Sequence, residues 1–350
     1  MGRLIQVLEL IRRFGFFHLL KVKSRHDRVL PHVRGYVTVR VFWALLYAGV
    51  LDDLAASGPR SIDELATQFD LKSDVLHDLC EYMDCVRVLK CVGPDRYELD
   101  GLGRVMLAEP RGVLDLLYGY EPVFVDLEDL LRGRKQYGRD VSRNGKYIAI
   151  GSGELGRQLP FPIMAELIRQ HNFKNLLDLG CGDLEFLMAV CGRTGARGYG
   201  VDNSAEAVEH ARQRLALAGM GDRIEVEQAD MFHLDAVAPR LNGVDCLTVC
   251  DTFHEYLSDG TELLADLLVH LRAQFPGRAM LVAEFCRQSH ESLKKRPTAF
   301  LEHHLFHRLT HQEILSAGQW RHLFEVAGWR VVDEHVFEVV GHGYFVLKQA

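Results

Sequence analysis

Leu176 to Val190 reads LLDLGCGDLEFLMAV, and the two glycines at its centre decide the fold. An apolar run ends at Gly180 and a helical pattern begins after Gly182. The pair therefore occupies a strand-to-helix turn, where a ligand approaches the backbone and a Cβ would obstruct it. Asp202 closes the next apolar run twenty residues beyond Gly182, placed to accept hydrogen bonds from ribose hydroxyls. Nicotinamide-binding chains share both features, but their fingerprint needs a third glycine, and Glu185 stands in its place. Asp178 sits inside the strand that feeds the turn. A carboxylate so close repels a pyrophosphate and suits a ligand that carries an ammonium group.

Working outward, NLLDLG, RGYGVD, RIEVEQAD, VDCLTVCD and AMLVAEF are five short apolar runs separated by helical segments. That alternation implies a parallel, doubly wound sheet. The end of the chain, GWRVVDEHVFEVVGHGYFVLKQ, reads instead as two adjacent strands, an antiparallel hairpin that closes the sheet. The class expected over residues 166–350 is α/β, a Rossmann-like doubly wound mixed sheet with a terminal antiparallel hairpin.

With 350 residues, 48% hydrophobic and 25% charged, the chain has enough apolar material for a full core and a second domain. Residues 36–110 predict helix, turn, helix, helix and two short strands. Ser61 and Glu64 form a capping box, Ser73 caps the following helix, and VRVLKCVGPDRYELD turns at Gly-Pro-Asp as the wing of a mainly α winged-helix domain. A DNA-reading helix is basic, whereas SDVLHDLCEYMD carries Asp74, Asp78, Glu81 and Asp84 and no Lys or Arg. The net charge of −7 agrees, and no nucleic-acid partner is expected. Residues 111–165 read as connecting helices that end in a Gly- and Ser-rich loop, YGRDVSRNGKYIAIGSGELGRQLPFP, facing the substrate. In the N-terminal helical arm, 1–35, Leu4, Val7, Leu8 and Ile11 recur at helical spacing, while Glu9, Arg12 and Arg13 interrupt the segment short of a membrane-spanning length. No membrane partner is expected, and these apolar faces predict a homodimer. Eight cysteines without a CxxC pair suit reduced thiols in a cytoplasm.

LLDLGCG, the acidic strand end GVD, EVEQADMF and the hairpin after EVAGW together make residues 170–350 resemble the class I S-adenosylmethionine-dependent methyltransferases. The resemblance implies that Asp178, Gly180 and Gly182 line the methionine end of S-adenosyl-L-methionine and that Asp202 binds the ribose. It also implies that Asp230, Met231 and Phe232 flank the adenine, with Tyr147 of the linker among the cofactor contacts. A helix N-cap is the other reading of Asp230. The winged helix looks like the dimerisation half of the small-molecule O-methyltransferases of antibiotic biosynthesis.

The remaining chemistry lies in DTFHEYL, Asp251 to Leu257, and in LEHHLFHRLTH, where His303, His304, His307 and His311 crowd into nine residues. Both stretches follow strands at the end of the sheet where ligands bind. In the resembling O-methyltransferases a His followed by an acid and an aromatic residue is the general base, and His254 of HEY takes that place. If Asp251 and His254 share the face of one helical turn, a late histidine completes two imidazoles and one carboxylate, a set suited to a divalent or trivalent metal ion. His307 is the centre of every helical pairing in the cluster, with His303 and His304 as alternates. An α-keto acid would chelate such an ion, which stabilises the enolate formed when a β-proton leaves. The linker and the Asp-x-x-His plus late-His arrangement look like the bacterial α-keto acid C-methyltransferases, including the 2-ketoarginine and phenylpyruvate enzymes. The expectation is thus β-carbon methylation of 2-ketoarginine or a related keto acid in specialised metabolism; the alternative is a metal-independent O-methyltransferase with His254 as base. A guanidinium-bearing substrate needs acids, for which Glu121, Asp126 and Glu128 are available. A scaffold protein retaining the cofactor as a structural ligand would need a basic recognition helix, which the sequence lacks.

Overall fold

The computed structural model describes residues 2–108, 111–258, 260–298 and 300–350. These form two compact units, one through Leu114 and one from Asp115 onward.

In the first unit the helices Gly2–Phe14 and Phe16–Tyr47 precede three shorter ones, Val50–Ser57, Ile62–Phe69 and Ser73–Cys85. Strands β1 (Arg60–Ser61), β2 (Leu89–Gly93) and β3 (Arg96–Leu99) make an antiparallel sheet in the order β1-β3-β2, so the expected hairpin is present. Ser61 and Glu64 form the capping box: Glu64 N donates to Ser61 Oγ, and Ser61 N donates to the Glu64 carboxylate at 2.7 Å. Ser73, by contrast, is the first helical residue rather than a cap, because Lys72 already holds the extended conformation that precedes the helix.

The second unit is built on seven strands, β4 (Asn175–Leu179), β5 (Arg197–Asp202), β6 (Ile224–Gln228), β7 (Cys246–Cys250), β8 (Ala279–Phe285), β9 (Trp329–Phe337) and β10 (His342–Gln349). Their order is β6-β5-β4-β7-β8-β10-β9, parallel except for β10, which runs antiparallel to both neighbours. The α/β doubly wound expectation holds. Successive strand residues enter opposite cores: Leu177, Leu247 and Val282 join one apolar cluster, Leu176, Cys246 and Leu281 the other. Burial on both faces explains why these strands read as continuous apolar runs. Trp320 and Trp329 are buried without stranding their indole N–H groups, which donate to the carbonyls of Phe285 and Leu268.

The linker departs from its reading as a loop, since Gly145–Gln158 is a helix. Its glycines serve close packing rather than turns: a Cβ on Gly156 would meet the Phe161 ring at 2.3 Å, and one on Gly153 would meet Glu185 at 3.1 Å.

Removing the hydroxyl that caps Ile62–Phe69, Ser61→Ala, should lower stability by about 1 kcal/mol in chemical denaturation. A loss below a few tenths of a kcal/mol would contradict the capping geometry.

Candidate active site

The exit of β7 delivers the central imidazole. Asp251 leaves the strand in the left-handed conformation (φ 53°), and the chain then winds into the 3-10 turn Phe253–Tyr256, pinned by the fully buried Phe253. Glu284, near the end of β8 and itself fully buried, receives this turn. Its Oε1 accepts from Phe253 N at 2.6 Å and His254 N at 3.3 Å, and its Oε2 faces His254 Nδ1 at 3.0 Å. A carboxylate only accepts, so Nδ1 carries the proton and Nε2 keeps a free lone pair. Burial pulls the pKa of His254 down, yet the adjacent Glu284 charge and its hydrogen bond outweigh that, and the net shift is upward. The pair has the form of a general base held and charge-stabilised by a buried acid.

The helix Phe300–Leu309 brings the late histidines to the same place. His307 Nδ1 bonds the His303 carbonyl at 2.7 Å, which again frees Nε2. The rings of His254 and His307 lie 4.9 Å apart, and His303 stacks on His307 at 4.4 Å. Burial first, then neighbouring imidazoles, lowers both late histidines, His303 to about 3, so they are neutral at physiological pH. Together with Asp251, Phe285 and Tyr120 the three histidines line one cavity of about 200 Å³. His304 does not join them; it lines a separate cleft, because a step of one residue turns it to another face of the helix.

Asp251 also differs from expectation. Its left-handed backbone removes it from the turn that carries His254, so the two do not share a helical face. Its Oδ1 instead meets Nε2 of the buried His342 on β10 at 2.7 Å. For a cation, the donor types are suitable and two Nε2 atoms are free, but the set is not gathered. Among the described residues only His77, Asp78 and Glu81 bring three ligand atoms within 4.8 Å of one another. Asp251, His254 and His307 as placed do not fit a three-donor metal site.

A second cavity, of about 380 Å³, shares Arg143, Gly180, Gly182 and Asp251 with the first and extends over Asp202, Asp230, Met231 and Tyr256. Gly180 has φ 75°, and a Cβ there would come within 2.7 Å of Thr252; a Cβ on Gly182 would project into open space. Gly182 N donates to Asp202 Oδ2, and Ser204 N donates to Oδ1, each at 2.9 Å, which leaves a lone pair on each oxygen for ribose hydroxyls. Asp230 Oδ1 accepts from Phe232 N, shaping a turn rather than capping an α-helix, and Phe232 packs on Tyr256 at 5.4 Å. Tyr147 borders neither cavity and lies edge-on to Tyr118 at 4.6 Å. Glu185, at the missing-glycine position, is bound by Arg157 and Arg214. Asp178 is buried, accepts from Thr248 Oγ1 at 2.8 Å, and is pushed by burial from 3.8 up to about 8. An ammonium group at the methionine end would restore its charge.

A model of the family described as "Methyltransferase domain" matches residues 151–334. A 2-ketoarginine methyltransferase of Streptomyces arginensis is 26% identical over 317 residues, 88% of this chain and 89% of the relative. An indolepyruvate C-methyltransferase of Streptomyces griseus is 31% identical over 255 residues, 71% of this chain and 73% of the relative. The solved mitomycin 7-O-methyltransferase superposes with a TM-score of 0.71 at 18% identity, covering 95% of this chain and all of that one. The chain belongs to the S-adenosylmethionine-dependent class I methyltransferases.

Sequence reasoning missed Glu284, His342 and Arg143. For Glu284 a signal existed, a lone acid at the end of the apolar run AMLVAEF. Arg143 lines both cavities and bonds Glu255 at 2.6 Å.

The raised Asp178 pKa has a stability consequence. Between 3.8 and about 8 the native cofactor-free protein holds a proton that the unfolded chain has released, so this contribution is full below 3.8 and is lost as pH rises toward 8. Urea denaturation at pH 5 and pH 8 should show wild type losing more stability than Asp178→Asn. Equal losses would remove the assignment. Gly180→Val should abolish S-adenosylmethionine binding in calorimetry, since the side chain meets Thr252 and the backbone resists it; retained affinity would contradict the cradle.

Proposed function

We propose that this chain methylates the β-carbon of an α-keto acid, with the His254–Glu284 pair removing the β-proton. The observation that carries the reading is that buried pair, whose His254 lines the first cavity while Asp251 and Glu255 of the same segment line both. The activities by which the two Streptomyces relatives are named support a keto acid as substrate. S-adenosylmethionine, when bound, supplies an electrophilic sulfonium methyl.

Arg143 is suited to the substrate carboxylate, because contacts to Glu255 and Tyr120 leave some of its five N–H donors free. His254 Nε2 accepts the β-proton, and Glu284 stabilises the imidazolium that results. A donor held along Gly180, Gly182 and Asp202 would supply the methyl to the enolate β-carbon, its carbon–sulfur bond breaking to leave a neutral thioether. Tyr120 and Phe285 wall this step from water.

On the substrate side chain, the cavity supports an uncharged aromatic group over the guanidinium of 2-ketoarginine. Asp251 is paired with His342, Glu255 with Arg143 and Gln312, and Asp183 and Glu185 with Arg214. The acids considered for a guanidinium are engaged as well: Asp126 holds Lys135, Glu128 holds Arg132, and Glu121 has a partner. Leu116, Tyr120, Ile148 and Phe285 supply apolar surface instead.

A second reading keeps a metal ion, favoured by two anchored imidazoles whose ring centroids lie 4.9 Å apart and whose Nε2 atoms are free. A cation there would have His254 and His307 as donors, with Asp251 held away on His342. Homodimerisation through the N-terminal arm, a cytoplasmic location and a role in specialised metabolism complete the proposal. The exposure of Leu4, Leu8 and Phe17 supports the arm as an interface.

Methyl transfer to phenylpyruvate, indolepyruvate, 2-ketoarginine and a phenol panel, each with and without a chelator, tests the reading. Carbon methylation of a keto acid is expected, with Glu284→Gln cutting turnover ~10²–10⁴-fold while S-adenosylmethionine affinity stays unchanged. Chelator-sensitive turnover that falls with His307→Ala would select the metal reading. Transfer to phenols alone would replace the proposal with the O-methyltransferase. Deleting residues 1–35 should give a monomer or insoluble protein in light scattering, and a full-length chain monomeric at high concentration would refute the dimer.

A further inference from the structure

The helix Phe300–Leu309 divides its basic residues between two faces. His303 and His307 meet the cavity that holds His254, whereas His304 and Arg308 line a separate cleft of about 500 Å³ with Arg287, His311 and Gln312. Arg287 contributes from the loop after β8, where it reaches Gln319 at 3.1 Å and the carboxylate of Glu313 at a long 3.6 Å. Arg308 has no ion-pair partner among the described residues. His304 Nε2 is buried without a hydrogen-bond partner in the cleft that both guanidiniums line. A neutral imidazole in the Nε2–H tautomer is a donor in want of an acceptor, and leaving it so is costly. Two guanidiniums and the His304 ring nitrogen therefore line a space whose only carboxylate among the described residues, Glu313, is drawn toward Arg287.

The cleft also touches the catalytic cavity. Gln312, one of its lining residues, donates to Glu255 Oε1 at 3.0 Å, and the same oxygen accepts from Arg143 at 2.6 Å. Gln312 N in turn donates to the carbonyl of His307 at 2.8 Å.

We propose that this cleft is an oxyanion site for a phosphate-type dianion, and that its occupancy braces the helix that carries His303 and His307. A tetrahedral oxyanion offers enough acceptor oxygens to engage Arg287, Arg308 and His304 together, with charge-assisted bonds to both guanidiniums. Binding closes the donor deficit at His304 and ties the loop after β8 to the late helix across the cleft.

Inorganic phosphate is the probe, titrated by calorimetry at constant ionic strength against chloride, with amide hydrogen exchange over residues 300–315 as a second readout. Saturable binding is expected, together with slowed exchange in that segment. Arg308→Gln and, on the other wall, Arg287→Gln should each raise the dissociation constant at least tenfold and abolish the exchange effect, with unchanged folding by circular dichroism. Phosphate binding no stronger than the chloride control, or equal in both variants, would overturn the site. Binding without slower exchange would overturn the bracing.

Discussion

A single buried carboxylate organises the candidate site. Glu284 has no exposed surface, and four N–H groups, those of Phe253, His254, Phe285 and the His254 ring, converge on its two oxygens. Those bonds close the exit of β7 onto the end of β8 and fix the tautomer of His254 at once. An amide in place of the acid would keep much of the shape and lose the charge that holds the imidazole's pKa up. Structure and chemistry are therefore coupled through one side chain, and the apolar packing of Phe253 beneath the turn keeps the backbone donors aimed.

The same logic recurs around the cavities, where nearly every acid has an assigned partner. Arg157 and Arg214 hold Glu185, Arg214 also holds Asp183, and His342 holds Asp251. Asp178 is the exception, with only a hydroxyl donor, and burial makes it retain its proton. A site that neutralises its acids internally and leaves one underserved carboxyl at the glycine turn is electrostatically specific for a cation there. An ammonium-bearing ligand suits that end, and the pyrophosphate of a dinucleotide would meet the opposite of what it needs.

Much of the fold was legible because it is written in local periods. Five apolar runs, the glycine turn and the Ser61–Glu64 box each state their structure within a few residues. The site was legible in part: His254 and His307 do meet, as the spacing suggested, because both follow strands at the same sheet edge. What escaped was set by long-range pairing. His254 and Glu284 are 30 residues apart, Asp251 and His342 are 91 apart, and Arg143 and Glu255 are 112 apart. No periodicity in one segment encodes a partner in another. Asp251 misled for a local reason, since reading Asp-x-x-His as one helical turn assumes a right-handed backbone, and this residue adopts a left-handed one.

The terminal hairpin explains why that left-handed residue is tolerated. β10 inserts antiparallel beside β8 with His342 directly opposite Phe285, which lifts the imidazole to the strand edge where β7 ends. A non-glycine residue in this conformation costs roughly 1–2 kcal/mol. Here the backbone N–H of Asp251 donates to the carbonyl of Ala283 and its carboxylate meets His342, so both ends of the residue are bound to the neighbouring strands. Without the antiparallel strand, β8 would be an edge, and nothing would reach Asp251 from that side. The departure from an all-parallel sheet is thus what sets the direction of a carboxylate at the boundary between the two cavities.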